Sequence, residues 1–252
     1  MERGIAYTRL RDRTAPPPPH PFLYVGLDLG QAHDFSALAI AERNRRPRYH
    51  DESRGDTPAK YRVGHLQRFA LKTSYPAIVA QVAALVRDLA AREPRPQLRL
   101  VVDATGVGRP VVDLLRQERL PAELIDVTIT GGDAVAQDGK AFRVPKRDLV
   151  STVQVALQSE RLKIAQALPD AATLTRELLA FQVKISIETA HDSYGAWREG
   201  AHDDLVLATA LAVWYGERDW LRAPSIGTVA YQYGPPVAGF DMPDQLSAAE
   251  LW

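Results

Sequence analysis

Three carboxylate positions stand out in the sequence because of the segments that carry them. Asp28 lies inside an apolar segment, VGLDLG, where burying a charge is costly unless the charge is paired or binds a metal. Asp103 ends a second apolar segment, LVVDATGVG, and the pair Asp203 and Asp204 opens a third, HDDLVLATALA. Carboxylates that are brought together repel one another unless cations neutralise them, and Mg²⁺ or Mn²⁺ suits oxygen ligands of this kind. These residues are therefore candidate metal ligands.

The chemistry expected of such a cluster is phosphodiester hydrolysis. Two divalent ions about 4 Å apart can activate the attacking water and stabilise the departing 3′ oxygen. This mechanism needs no protein nucleophile, which agrees with a chain that has no cysteine and no serine–histidine motif.

Each acid also has an ordinary structural explanation. Asp103 at a strand end is typical of a turn or cap residue, and Asp203 suits the N-terminus of a helix. Asp28 is harder to explain in this way because its flanks are apolar. Adjacent helix residues point about 100° apart, so one member of the Asp203–Asp204 pair is expected to bind metal while the other caps the helix or binds from the side. Both stay candidates, with Asp204 slightly ahead.

The elements that position these acids follow from apolar periodicity. Strands are predicted over residues 22–29, 35–41, 61–71, 98–102 and 124–129, and helices over residues 76–92, from Pro110, 146–159, from Ala171 and over 203–214. The glycines of TGVG, residues 105–108, predict a tight strand-to-helix turn, and residues 131–139 predict a flexible polar loop. Residues 181–187 and 193–197 predict a β-hairpin insertion before the last helix. This order predicts an α/β fold whose mixed sheet joins an antiparallel meander to parallel strands between flanking helices. If the first and fourth strands are neighbours, Asp28 and Asp103 meet at the carboxyl edge, where open sheets place their sites.

Composition sets the boundaries and the class. We expect a Pro-rich extended leader over residues 1–21, one domain over 22–222 and a flexible tail over 223–252. The 252 residues include 31 basic and 31 acidic side chains, so any nucleic-acid contact must come from local patches. There is no apolar run long enough to cross a membrane, which favours a soluble, cytoplasmic protein.

Other residues are candidates for contacting DNA or for orienting the acidic side chains. Two basic clusters could follow phosphates: one includes Arg45 and Arg46, and the other includes Arg143, Lys146 and Arg147. Asp34 and His202 lie close in sequence to the acids and are candidate secondary ligands or orienting groups. For all of these, a solvated surface or a simple turn or cap is the alternative.

The ordered succession of VGLDLGQAHDFSALAIAER, LVVDATGVGRPVVDLL, FRVPKRDLVSTVQVALQSERLKI and HDDLVLATALAVW resembles the nuclease domain of the large terminase subunit of tailed bacteriophages. The resemblance spans roughly residues 22–218. It implies a ribonuclease-H-like fold and two-metal hydrolysis of double-stranded DNA during packaging. The acidic cluster would comprise Asp28, Asp103 and the Asp203–Asp204 pair, and Lys146 would match a nearby basic position.

The resemblance also implies partners. The sequence has no P-loop, so we expect an isolated nuclease domain, or a separately encoded nuclease, that works with a separate packaging ATPase, a small terminase subunit and a portal. The alternatives are a Holliday-junction-resolvase-like nuclease and a non-catalytic DNA-binding assembly subunit of the same fold. An actin-like ATPase or sugar kinase is disfavoured because that fold needs a duplicated domain and two phosphate loops.

Overall fold

The computed structural model describes residues 21–30, 34–44, 58–92, 95–188 and 203–222. Several predicted features lie outside these ranges: the leader apart from Pro21, the tail over 223–252, the hairpin strand over 193–197, and the residues Arg45, Arg46 and His202.

Eight strands form a single mixed sheet in the described part of the chain. They are β1 (Phe22–Asp28), β2 (Ala37–Arg43), β3 (Tyr61–Arg68), β4 (Gln97–Asp103), β5 (Glu123–Thr130), β6 (Ala136–Asp138), β7 (Ala141–Pro145) and β8 (Leu162–Ile164), in the spatial order β6-β7-β5-β4-β1-β2-β3-β8. The first three strands form an antiparallel meander, and β4, β5 and β7 continue the sheet parallel to β1. The predicted meander followed by parallel strands is confirmed.

Five helices cover the two faces of the sheet. They are α1 (Tyr75–Ala91), α2 (Gly108–Gln117), α3 (Lys146–Gln158), α4 (Ala171–Glu188) and α5 (Asp204–Arg222). One apolar cluster joins α1 and α2 to one face, and a second joins α3, α4 and α5 to the other. Because side chains alternate along a strand, β1 contributes Tyr24 to the α5 side and Val25 and Leu27 to the α1 side.

The small residues of β1 and β2 explain why α5 lies so close to the centre of the sheet. Ala37, Ala39 and Ala41 of β2 face the α5 cluster. At Gly26 of β1, an added Cβ would lie 1.9 Å from the carbonyl oxygen of Ala208 in α5. The absence of a side chain at Gly26 therefore lets the backbones of β1 and α5 approach each other directly.

The structure corrects two predictions about local elements. Residues 181–187, predicted as the first strand of a hairpin, belong to α4. This segment continues the helix that begins at Ala171, whose first half packs against the core through Leu174, and the short alternating pattern does not end that helix. The predicted polar loop over residues 131–139 contains β6, which pairs with β7.

None of the helices within the described residues is both long enough and apolar enough to cross a membrane.

Candidate active site

The sheet register places Asp28 and Asp103 side by side. In the parallel β1–β4 pair, Leu27 lies opposite Val102, and each aspartate is the next residue of its strand. Neighbouring strands are about 4.8 Å apart. Side-chain alternation directs both aspartates to the α5 face, since Asp28 shares a face with Tyr24, and Asp103 with Val101. The register therefore confirms that these two acids lie next to each other at the carboxyl edge of the sheet, as the sequence predicts.

The turn after β4 holds the Asp103 carboxylate in position. The backbone N–H of Thr105 donates to Asp103 Oδ1 at 2.8 Å, and the Thr105 hydroxyl accepts from Ile129 N at 2.8 Å, which ties the turn to the end of β5. At Gly108 a Cβ would lie 2.0 Å from the Asp103 carbonyl oxygen, so α2 starts in contact with the strand end. The TGVG segment is therefore the tight strand-to-helix turn that the sequence predicts.

Helix α5 brings the other two acids to the same place. It begins at Asp204, passes Gly26 at Ala208, and reaches Tyr24, nearer the start of β1, at Asp219, so it runs antiparallel to β1. Its N-terminus therefore lies at the carboxyl end of β1, beside Asp28. Asp28 and Asp204 are 6% and 5% exposed, whereas the side chain of Asp203 is 24% exposed. Asp203 is thus on the solvent side of the cluster.

The acids affect one another electrostatically. Burial raises the pKa of Asp28 well above its usual range, the negative charges of Asp103, Asp204 and Asp203 raise it further, and Lys146 lowers it. Burial also raises the pKa of Asp103, against the hydrogen bonds from Thr105 and the charge of Lys146. The cluster thus has more negative charge than its surroundings neutralise.

Two basic side chains contact the cluster from opposite sides. Lys146, the first residue of α3, places its Nζ 2.7 Å from Asp203 Oδ2, with 27% of its side chain exposed. Arg68, the last residue of β3, places its NH2 nitrogen 3.1 Å from Asp204 Oδ2. Lys146 was a sequence candidate and lies in the cluster. Arg68 was not a candidate.

The N-terminus of α5 is capped by a side chain from another helix. Glu177 of α4 accepts hydrogen bonds at Oε2 from the backbone N–H groups of Leu205 and Val206, at 3.0 and 3.2 Å. We expected one member of the aspartate pair to cap this helix or to bind metal from the side. The Leu205 and Val206 amides donate to Glu177 instead, and binding from the side stays a prediction. The carboxylates of Asp203 and Asp204 point instead to Lys146 and Arg68.

Sequence reasoning missed Arg68 and Glu177 for different reasons. Arg68 could have been found, because in the meander its register partner is Ala37, which itself pairs with Asp28. A strand-end arginine two strands away from an acid is on the same edge of the sheet. Glu177 carries no comparable signal, since its place depends on how α4 packs against α5. Burial raises its pKa to about 7, while Arg68 and the two amides lower it.

The remaining described candidates lie at the margin of the site. Asp34 is exposed. Arg147 is exposed and pairs with Asp133 at 2.8 Å. Arg143 is exposed on β7 and alternates with Phe142 and Val144, which face the α5 cluster, so its side chain starts from the opposite face of the sheet. Within the described residues, no hydrogen bond or ion pair joins these three side chains to the acidic cluster.

The donor set fits a hard divalent cation by its chemistry. Asp28, Asp103, Asp203 and Asp204 offer oxygen ligands alone, as Mg²⁺ and Mn²⁺ require. The pKa of Asp28 is raised first by burial and then by the charges of the other three acids, a repulsion that a cation would relieve. Among the described residues, no three aspartate, glutamate or histidine side chains are already arranged to hold a metal ion. In this structure Lys146 and Arg68 provide the positive charge at the cluster.

The strand order defines the fold class of the protein. The central strand order is β3-β2-β1-β4-β5, in which β2 is antiparallel to both β3 and β1, while β4 and β5 are parallel to β1. This arrangement is the ribonuclease-H-like α/β fold. In this chain the fold places acids from β1, β4 and α5 at one edge of the sheet.

Solved structures of similar fold include two terminase nucleases and RuvC. The large terminase nuclease from thermophilic phage G20c has 17% identity and a TM-score of 0.45, covering 79% of this chain and 84% of that one. The Mn-soaked human cytomegalovirus terminase nuclease domain has 14% identity and a TM-score of 0.45, covering 81% and 87%. Thermus thermophilus RuvC has 13% identity and a TM-score of 0.36, covering 80% and 98%. No family model matches the sequence, and no curated protein matches it.

Proposed function

We propose that this chain is a metal-dependent endonuclease that hydrolyses the phosphodiester bonds of double-stranded DNA. The observation that carries the proposal is the convergence of Asp28, Asp103 and Asp204 from three separate elements at the carboxyl edge of the sheet. All three are buried. A fold gains no stability from collecting buried like charges, so the cluster calls for a functional explanation.

In this proposal Asp28, Asp103 and Asp204 hold the Mg²⁺ or Mn²⁺ ions, and Asp203 completes the set. The bound ions would activate the attacking water and stabilise the departing 3′ oxygen. Asp28 is supplied by a rigid central strand, and Asp103 is oriented by the Thr105 N–H. These constraints keep both carboxylates in place before substrate arrives, which is what a preorganised site requires.

Lys146 and Asp203 mark the side from which DNA would approach. Their side chains are 27% and 24% exposed, whereas Asp28 and Asp103 are 6% and 8% exposed. A backbone phosphate can therefore reach the acids past this ion pair. Lys146 can then exchange part of its contact with Asp203 for a phosphate oxygen. Contacts of this kind position DNA without reading its sequence, so we expect low sequence specificity.

A role in viral DNA packaging is the biological setting that we propose for this activity. It rests on the ordered motifs from residues 22 to 218 that resemble the terminase nuclease domain. In that setting the domain over residues 22–222 cuts DNA, while a separate ATPase, a small terminase subunit and a portal provide translocation and assembly.

The experiment that tests the proposal is a plasmid-cleavage assay with EDTA, Mg²⁺ or Mn²⁺. The unchanged protein is compared with Asp28→Asn, and Asp88→Asn is the matched control. Asp88 lies on α1 and pairs with Arg92 at 2.7 Å, with 65% of its side chain exposed. We expect metal-dependent nicking and linearisation by the unchanged protein and by Asp88→Asn, and no product with Asp28→Asn.

Two outcomes would change the assignment. Cleavage by Asp28→Asn at the native rate would contradict the proposed site. A strong preference for a four-way junction over plasmid and linear duplex would favour the resolvase-like alternative.

A further inference from the structure

Glu177 connects two parts of the site with its two carboxylate oxygens. Oε1 accepts from Arg68 NH2 at 2.6 Å, and Oε2 accepts from the N–H groups of Leu205 and Val206. The residue is 7% exposed and comes from α4, which supplies none of the clustered acids. Glu177 is therefore a buried carboxylate that contacts both Arg68, which also contacts Asp204, and the first turn of the helix that begins at Asp204.

Arg68 divides its charge unequally between two carboxylates. Its NH2 nitrogen lies 2.6 Å from Glu177 and 3.1 Å from Asp204. The guanidinium carbon also lies 4.3 Å from the centre of the Phe35 ring, a cation–π contact that restricts its movement. The shorter contact is to Glu177, so Asp204 is held by Arg68 without being fully neutralised by it.

We propose that Glu177 is a positioning residue for Asp204: it fixes the first turn of α5 and retains Arg68, so that Asp204 keeps its charge for a divalent cation. This inference rests on the proposed function, since it assigns a purpose to the metal site. Without the Glu177 carboxylate, Arg68 would pair with Asp204 alone and compete with the cation for it.

The substitution Glu177→Gln tests this sharply because glutamine has one acceptor oxygen. If that oxygen accepts from the backbone N–H groups of α5, the side-chain NH₂ faces Arg68. In the opposite rotamer the oxygen faces Arg68, and the NH₂ faces the two backbone N–H donors. In the first arrangement Arg68 is released toward Asp204, and in the second the cap of α5 is lost. Adding Arg68→Gln in the same chain removes the competing cation. A charge-sharing role thus predicts that a second substitution repairs the first, which a purely structural role does not.

The experiment measures Mn²⁺ binding to the full chain without DNA, from the electron paramagnetic resonance signal of free Mn²⁺ at pH 8. The proteins compared are the unchanged chain, Glu177→Gln, Arg68→Gln and the double variant. Glu217→Gln is the matched control. Glu217 lies on α5, roughly 20 Å from Asp204 along the helix axis, and pairs with Arg161 at 2.7 Å. Circular dichroism confirms that each variant is folded.

We expect Glu177→Gln to need about ten-fold more Mn²⁺ for half-saturation, as is typical for the loss of a group that orients a metal ligand. The double variant should return to within about three-fold of the unchanged protein. Arg68→Gln and Glu217→Gln should bind Mn²⁺ no more weakly than the unchanged protein.

Each other outcome is decisive. Native affinity in Glu177→Gln would overturn the positioning role and leave the proposed nuclease function intact. Equal weakening in the single and double variants would overturn the retention of Arg68 and leave only the cap of α5, again with the nuclease function intact. If Glu177→Gln does not fold, Arg68→Gln decides, and weaker Mn²⁺ binding by that variant overturns the inference. Absence of Mn²⁺ binding by the unchanged protein, together with absence of cleavage, would reject the proposed function and this inference with it.

Discussion

Replacing Gly26 with alanine should damage the site from a distance, through the position of α5. The new Cβ would lie 1.9 Å from the Ala208 carbonyl oxygen and 2.9 Å from the Ala212 nitrogen. Both are backbone atoms, so no side-chain rotation can relieve the contact. A Cβ–oxygen separation of at least 3.0 Å therefore requires α5 to move by about 1 Å relative to β1.

The expected cost follows from that movement. Overpacking of a well-packed core costs about 1–3 kcal/mol, which corresponds to a fall in melting temperature of roughly 3–10 °C for a domain of this size. Because α5 carries Asp204 and β1 carries Asp28, the same shift separates two of the acids. A displacement of about 1 Å in a catalytic group can lower the rate on the order of 100-fold.

The assay combines thermal unfolding with plasmid cleavage, and Gly64→Ala is the matched control. Gly64 lies in β3 of the same sheet, and a Cβ there would meet nothing within 4 Å. We expect Gly64→Ala to retain native cleavage and native or slightly higher stability. Native stability and native cleavage by Gly26→Ala would refute the conclusion that the β1 and α5 backbones are in direct contact.

Three further predictions follow from the charges. In EDTA at pH 7, Asp28→Asn should raise the free energy of unfolding, because it removes a carboxylate whose charged form is disfavoured by burial and by the three neighbouring acids. Denaturant unfolding measures this, and a loss of stability would contradict it. In EDTA the unchanged protein should become more stable as the pH falls from 8 toward 5. The pKa of Glu177 is raised from 4.5 to about 7 and those of Asp28 and Asp103 are raised too, so the folded state binds more protons than the unfolded state; a melting temperature that falls over this range would contradict it. Lys146→Met should change the free energy of unfolding by less than about 1 kcal/mol, since its ion pair is partly exposed. The same substitution should weaken DNA binding and reduce the salt dependence of that binding, which fluorescence anisotropy measures. An unchanged salt slope would exclude a contact between Lys146 and a phosphate.

The sequence predicted the central strands because their signals are local. Apolar runs interrupted by Asp28 and ended by Asp103 indicated both the strands and the acids at their carboxyl edge. The helical spacing after Asp203 indicated α5. Each of these signals lies within about ten residues, and burial on both faces of a central strand makes it strong.

Weaker local signals led to wrong or missing elements. Residues 181–187 alternate like a strand but lie in α4, and β6 and β8 are only three residues long. Short segments of this kind take the conformation that their packing allows, because local preferences amount to a few tenths of a kcal/mol per residue.

The sequence by itself determined the fold class and the acids that the fold collects at one edge of the sheet. Tertiary structure decided how those acids are held. The cap of α5 comes from Glu177 in another helix, and the cation beside Asp204 comes from Arg68 at the end of β3. Both contacts join residues more than 25 positions apart. The Arg68 contact depends on the register of the meander, and the Glu177 contact depends on the packing of α4 against α5, to which no local pattern in the chain corresponds.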